Sequence, residues 1–248
     1  MTDAQLARAI AEEAGLMLLD VRNTSGLSGK ALGDEGDRAA NRYILDRLAT
    51  ERPDDAVLSE ESHDDRSRLA RSRVWIVDPL DGTREYAEAR DDWAVHVALA
   101  VDGRPAAGAV ALPPFGRAPA SDDGARAHAL PDRPRMVVSR TRPPAAALRV
   151  AEALGAEVIA MGSAGAKAMA VAEGRADIYL HAGGQHEWDN CAPVAVALAR
   201  GLHASRIDGS PLLYNRPDTS LPDLLICHPA LADQVLGLVR ELGPEVSQ

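Results

Sequence analysis

Four acidic groups in this chain have the composition to do chemistry: Asp34/Glu35/Asp37, Glu60/Glu61, Asp78/Asp81 and Glu187/Asp189. The most informative is the third, in WIVDPLDGTREY (75–86), where two aspartates follow a short apolar run with nothing basic between them. Carboxylates this close repel, so the pair must serve either a turn, where Asp bonds its own backbone, or a hard divalent cation. Such a cation takes its ligands from carboxylate, carbonyl and water oxygens. A turn at DPLD brings both acids to one side; Pro79 holds it, and the Leu80 carbonyl is left free to point the same way. Gly82 and Thr83 then open a short helix whose unpaired N–H groups make a seat for phosphate. Metal ligands beside an anion seat point to phosphoryl chemistry. Plain readings stand next to this one. DPLDGT makes a good ligand-free turn with Thr83 as an N-cap, Glu60 and Glu61 suit a solvated loop, Asp189 suits a helix cap, and His96 suits a satisfied core position.

Composition narrows the setting. The chain has 248 residues, 46% apolar and 26% charged, with aromatics at only 3%, so its core is built from Ala, Val, Leu and Ile. A formal charge of −10 argues against a nucleic-acid polymer or an anionic membrane surface as partner. It leaves room for a small anionic substrate if bound cations invert the local field. Two cysteines without a CxxC pattern, an acidic helix-like N-terminus and no apolar run near the roughly 20 residues that span a bilayer predict a cytoplasmic protein with free thiols.

The elements that must position these acids follow from periodicity. Helical spacing covers 3–21 and 38–49, and the glycine-rich GLSGKALGDEGD between them reads as mobile. Residues 56–58 and 73–77 read as strands. From Trp93 to Val101 the pattern alternates, with Trp93, Val95, Val97, Leu99 and Val101 on one face and Ala94, His96, Ala98 and Ala100 on the other. An Asp102-Gly103 turn and a strand over 106–112 complete a hairpin. Its alanine face suits close helix packing. Proline, glycine and aspartate break the pattern over 113–134. Beyond it, strands at 136–139, 157–160 and 176–180 alternate with helices at 145–154, 163–173 and 190–200, an α/β pattern; a strand at 224–226 and a helix at 230–242 close the chain. The expected fold is α/β, with an α+β domain over 1–133 carrying most of the acids and an α/β domain over 134–248.

Taken together, SEES (59–62), WIVDPLDGT (75–83), GSAGAK (162–167) and WDNCAP (188–193) resemble the lithium-sensitive, magnesium-dependent phosphatase superfamily of inositol monophosphatases and 3′-nucleotidases. The resemblance runs to about residue 215 and is greatest to the CysQ-type 3′(2′),5′-bisphosphate nucleotidases. It implies a layered αβαβα sugar-phosphatase-like fold. It also implies Glu60, Asp78, the Leu80 carbonyl, Asp81 and Asp189 as ligands of two or three Mg²⁺ ions. Asp37, in GDRAAN, matches the aspartate that works with Thr83 to orient and deprotonate the attacking water, while Glu61 stands behind the ligands. The family often carries a Thr two or three residues before that aspartate; this chain has Asp34, Glu35 and Gly36 there, a departure that bears on the most weakly held metal.

On the substrate side, the Gly82 and Thr83 amides would cradle the phosphate, with Asp189 also touching the substrate. Lys167 matches a lysine that meets the uncleaved phosphate in the nucleotidases. His181 stands where inositol phosphatases carry an acid, and a histidine tolerates a second phosphate better. Ser139, Arg140 and Arg142 in SRTRPP offer further anion contacts. The implied reaction is removal of the 3′-phosphate of 3′-phosphoadenosine 5′-phosphate to give AMP, as in sulfate assimilation, by an enzyme compatible with a homodimer. Alternatives are an inositol or fructose-1,6-bisphosphate phosphatase of the same superfamily and a non-catalytic nucleotide-binding module. A phosphoaspartate mechanism of the haloacid-dehalogenase type uses DxDGT; the DxxDGT here is one residue longer, so its two acids cannot share a strand face in the same way.

Overall fold

Leu6, Ile10, Ala14 and Leu18 recur at intervals of four and are all buried, the stripe of a helix laid on a sheet. In the computed structural model, which describes residues 1–126 and 128–242, they belong to α1 (Asp3–Thr24), which is followed by α2 (Gly29–Glu51). The first sheet has the order β1-β2-β3-β4, made from β1 (Ala56–Ser59), β2 (Arg73–Asp81), β3 (Ala94–Val101) and β4 (Arg104–Ala111), with the short α3 (Thr83–Ala87) after β2. β1 runs parallel to β2, and the others are antiparallel.

The second sheet has the order β6-β5-β7-β9-β8. Its strands are β5 (Arg135–Ser139), β6 (Glu157–Met161), β7 (Ile178–His186), β8 (His203–Ser205) and β9 (Ser220–Cys227). The helices among them are α4 (Ala145–Leu154), α5 (Ala164–Ala172), α6 (Glu187–Ala199) and α7 (Ala232–Leu242). Residues 243–248, the end of the second expected domain, lie outside the described residues.

Three apolar clusters stack these elements into five layers. α1 and α2 cover one face of the first sheet, meeting Trp93, Val95, Val97 and Leu99. The opposite face, with Ala94, Ala98 and Ala100, packs on α5 and α6, which also meet Val137, Tyr179, Leu224 and Ile226 of the second sheet. α4 and α7 close the far side against Met136, Val138, Leu180 and Leu225. This is the αβαβα arrangement, and both expected faces of the β3–β4 hairpin hold. The alanine face does what small side chains permit: a Cβ at Gly108 would lie 2.9 Å from the Ala195 Cβ of α6. Among the described residues no helix is long and apolar enough to cross a membrane. Cys191 and Cys227 are both buried and free.

One expectation is corrected. The glycine-rich stretch read as mobile is the first part of α2. Glycine costs a helix interior roughly 1 kcal/mol, yet a Cβ at Gly33 would sit 2.7 Å from Thr83 Cγ2. One at Gly36 would meet Tyr86, Leu18 and Leu80 at 3.0 to 3.2 Å. These glycines are there for close approach, and the helix they allow carries Asp37.

Candidate active site

In a regular strand residues three apart face opposite sides, so Asp78 and Asp81 on β2 should diverge. They do not, because the ladder to β3 shifts between them: Asp78 pairs with His96 and Asp81 with Ala94. Three steps on β2 match two on β3, and the extra residue turns both carboxylates to the face that meets α5 and α6. Asp78 Oδ1 accepts from the Leu80 N–H at 3.1 Å. The parallel pairing of β1 with β2, extended by Glu60 N–H donating to the Val77 carbonyl at 3.2 Å, sets Glu60 near Asp78, whose pKa is raised by burial and then by the Glu60 charge.

Asp189 arrives from the C-terminal half. It is the third residue of α6 and accepts from the His186 N–H at 2.5 Å. One carboxylate oxygen from each of Asp78, Asp81 and Asp189 lies within 4.8 Å of the others. Glu187 does not join them: it is fully buried and accepts from the Asn215 and Arg216 N–H groups, each at 2.7 Å. Asp34 and Glu35 are spent on surface pairs with Lys30 and Arg38, so Asp37 alone of that group points inward.

Asp81 is the most densely held of the acids. Its Oδ2 accepts from the Ser163 hydroxyl and from the Gly165 N–H at 2.6 Å and lies 3.2 Å from His96 Nε2. Its Oδ1 accepts from the Ala164 N–H at 3.1 Å and keeps a lone pair for a cation. His96 Nδ1 lies 3.0 Å from the Trp188 carbonyl. Both ring nitrogens lie near oxygens; burial alone would lower the His96 pKa, but the Asp81 charge and the Trp188 carbonyl outweigh it and raise it, favouring the protonated ring. Ser163 adopts φ 47° and ψ 137°, backbone territory that essentially only glycine occupies freely. The start of α5 that this conformation creates is what wraps Asp81.

The electrostatics divide the acids. Burial alone would raise Asp81, but the His96 charge and the donors from Ser163 and Gly165 outweigh it and hold the carboxyl well below its usual range. Burial, then the charges of Glu60, Asp81 and Asp189, push Asp78 far up. Glu60 is pushed up to about 7 by burial, Asp189 and Glu61, and burial raises Asp189. Clustered, partly dehydrated carboxylates that resist ionisation are a donor set for a hard divalent cation, so these residues fit one.

Asp37 is buried and pushed up to about 7, by burial first and then by Glu61 and Glu60; a hydrogen bond with Thr83 acts the other way. The Thr83 hydroxyl donates to the Leu80 carbonyl at 3.1 Å. It stands between Asp37 and that carbonyl. Gly82 caps α3 at φ 91°, so the Thr83 side chain is not needed as a cap.

A cavity of about 300 Å³ opens beside the acids. Asp81, Gly82 and Asp189 line it together with Ser139, Arg140, Arg142, Lys167, Tyr179, His181 and Gln185. The expected anion contacts are not equivalent. Arg140 Nη2 is committed to Glu85 at 2.8 Å and Glu88 at 2.9 Å. Lys167 is buried, with its ammonium donating to the Gly162 and Ser163 carbonyls at 3.0 and 2.5 Å, so two of three donors are spent. Ser139 Oγ accepts from the Arg142 N–H at 3.2 Å. His181 Nε2 lies 3.2 Å from the Gly184 carbonyl, and burial lowers its pKa, which makes it a neutral ring protonated on Nε2. His96, Tyr179 and Gln185 were not anticipated as site residues. One signal was present for His96: it is the polar interruption of an alanine face, paired across the ladder with Asp78.

Comparison with known proteins gives a consistent picture. The inositol monophosphatase family model matches residues 3–243. A 3′-phosphoadenosine 5′-phosphate phosphatase from Mycobacterium leprae is 52% identical over 257 residues, covering 98% of this chain and 95% of that protein. The 3′(2′),5′-bisphosphate nucleotidase CysQ of Escherichia coli is 34% identical, covering 75% of this chain and 80% of its own length. Among solved structures, CysQ from Bacteroides thetaiotaomicron superposes with a TM-score of 0.79 at 27% identity, over 92% of this chain and 97% of that one. Inositol monophosphatase II from Staphylococcus aureus reaches 0.83 at 20% identity over 98% of each.

Proposed function

The chain belongs to the inositol monophosphatase family, and from that premise we propose that it is a phosphoric monoester hydrolase that removes the 3′-phosphate of 3′-phosphoadenosine 5′-phosphate to give AMP, as in sulfate assimilation. The observation that carries the reading is a cavity that joins acids to anion-binding groups. Carboxylates from β2 and α6 converge beside it, and Lys167, His181, Ser139 and Arg142 line it with Asp81 and Asp189. A small ester with two phosphates suits such a site. Relatives named for this substrate at 52% identity support the same choice.

Glu60, Asp78, Asp81, Asp189 and the Leu80 carbonyl would hold two or three Mg²⁺ ions. Bound there, the cations would neutralise the crowded acids and the ester and stabilise charge developing on phosphate oxygens. The residues supply the rest. The Thr83 hydroxyl, turning from the Leu80 carbonyl, gives its hydrogen to Asp37 as it takes a proton from the attacking water, so a proton ends on a carboxyl whose raised affinity for it suits neutral pH. The water oxygen bonds to phosphorus while the bond from phosphorus to the 3′-oxygen breaks, and that leaving oxygen takes a proton from solvent. The Gly82 and Thr83 amides face the phosphate. His96, Ser163 and the start of α5 fix Asp81 so that its Oδ1 needs no reorganisation.

The test is phosphate release from 3′-phosphoadenosine 5′-phosphate, inositol 1-phosphate and fructose 1,6-bisphosphate in parallel, with Mg²⁺, with added Li⁺ and after chelation. The bisphosphonucleotide is expected to give the highest kcat/KM, Li⁺ to inhibit and chelation to abolish release. Equal or better turnover of either other ester overturns the substrate assignment, and metal-independent release overturns the role of the acids.

A further inference from the structure

Four buried polar side chains form a single file that ends at the cavity. The Tyr214 hydroxyl donates to Asn190 Oδ1 at 2.8 Å, Asn190 Nδ2 donates to Gln185 Oε1 at 3.0 Å, and Gln185 Nε2 donates to the Tyr179 hydroxyl oxygen at 3.2 Å. Exposure is 7% at Gln185 and 1% or less at the other three. In the structure the donors all run one way, because an amide that receives on its oxygen presents its NH₂ to the next partner. The Tyr179 oxygen is thus occupied by a donated hydrogen, and its own hydroxyl hydrogen must go elsewhere. Among the described residues it meets no acceptor.

Lys167 reaches the same place by another route. Two of its three donors go to carbonyls, and its Nζ lies 5.4 Å from the centroid of the Tyr179 ring. Tyr179, Lys167 and Gln185 all line the cavity. Two buried side chains there each hold one unspent hydrogen, and a buried donor without an acceptor is costly.

We infer that the Tyr179 hydroxyl, aimed by Tyr214, Asn190 and Gln185, donates to an oxygen of the substrate's uncleaved phosphate beside Lys167. This assignment rests on the bisphosphate reading above and adds to it a specificity-determining residue. Burial, reinforced by Asp81 and Asp189, raises the Tyr179 hydroxyl above its ordinary pKa, so it remains a donor throughout the working range. A donor facing an anionic oxygen makes the stronger, charge-assisted kind of hydrogen bond.

Tyr179→Phe keeps the ring over Lys167 and removes only the hydroxyl. Calorimetry with Mg²⁺ present would compare AMP, which keeps the 5′-phosphate, with adenosine, which lacks it. The variant is expected to bind AMP about tenfold or more weakly while adenosine changes by less than about twofold. In turnover, KM for 3′-phosphoadenosine 5′-phosphate should rise by a larger factor than KM for 3′-AMP. Tyr214→Phe, which removes the far end of the file without touching the cavity, should weaken AMP selectively by a smaller factor, and it carries the test if Tyr179→Phe does not fold. Equal losses for AMP and adenosine, no loss for either, or wild-type protein that binds both equally would overturn the assignment. Wild-type protein that prefers AMP to adenosine but does not hydrolyse the bisphosphate would sink the nucleotidase reading instead, and the calorimetric comparison would still decide the role of Tyr179.

Discussion

Replacing Asp37 with asparagine should make the protein more stable and far less active, by amounts that the surroundings of the residue set. Its carboxyl is held near 7 against an ordinary 3.8. At about 1.36 kcal/mol per pH unit, ionising it costs the folded state up to about 4 kcal/mol relative to the unfolded chain. An acid raised in this way imposes no penalty below about pH 4, a growing one as the pH climbs towards 7, and a constant one above. The neutral amide escapes the penalty while its oxygen can still accept from Thr83. Metal-free Asp37→Asn should therefore gain about 1.5 kcal/mol at pH 5 and about 4 at pH 8, the latter on the order of 10 °C in Tm for a chain of this size. Mg²⁺ should shrink the gain by offsetting Glu60 and Glu61. Since an amide cannot take a proton from Thr83, kcat should fall at least about a hundredfold. The assay is thermal melting from pH 5 to 8, with chelator and with Mg²⁺, beside phosphate release. A Tm gain independent of pH, or a loss of less than about tenfold in kcat, far below a general base's usual contribution, would refute the reasoning.

Asp81→Asn should cost at least about a hundredfold in kcat, measured by phosphate release at saturating Mg²⁺; near-wild-type turnover would remove Asp81 from the mechanism. Gly165→Ala places a methyl group on the His96 ring, with Val110 and Ala94 also close, and should lose roughly 1–3 kcal/mol by denaturant melting. Arg140→Ala should raise KM less than Arg142→Ala does, because Glu85 and Glu88 already hold the Arg140 guanidinium; steady-state kinetics would show the reverse order if Arg140 were the anion contact.

What could be read in advance depended on how local the information was. WIVDPLDGT holds two acids and the following helix start in one contiguous stretch, so its chemistry was visible before its geometry, but the turn expected at DPLD is a bulged continuation of β2. The alternation from Trp93 to Val101 assigned both faces of β3 correctly, because one bulky and one alanine row permit only one packing. The glycines at 33 and 36 misled, since the same residue marks mobility or close approach, and the deciding atoms, on Thr83 and Tyr86, are distant in sequence. His96 and Tyr179 were passed over for a related reason. Each acquires its role from partners such as Trp188, Asp81 or Gln185 that only the assembled layers bring within reach. Arg140 looked available until Glu85 and Glu88 were seen to claim it.

The two helical glycines carry a last consequence. With no side chain between them and the site, Gly33 and Gly36 let the whole of α2 rest on Thr83 and Tyr86, so the helix acts as a rigid lever whose depth sets the reach of Asp37. Ile44 and Leu48, farther along the same buried side, are the far arm of that lever. Shortening either would loosen the packing that holds α2, and with it Asp37, against the first sheet.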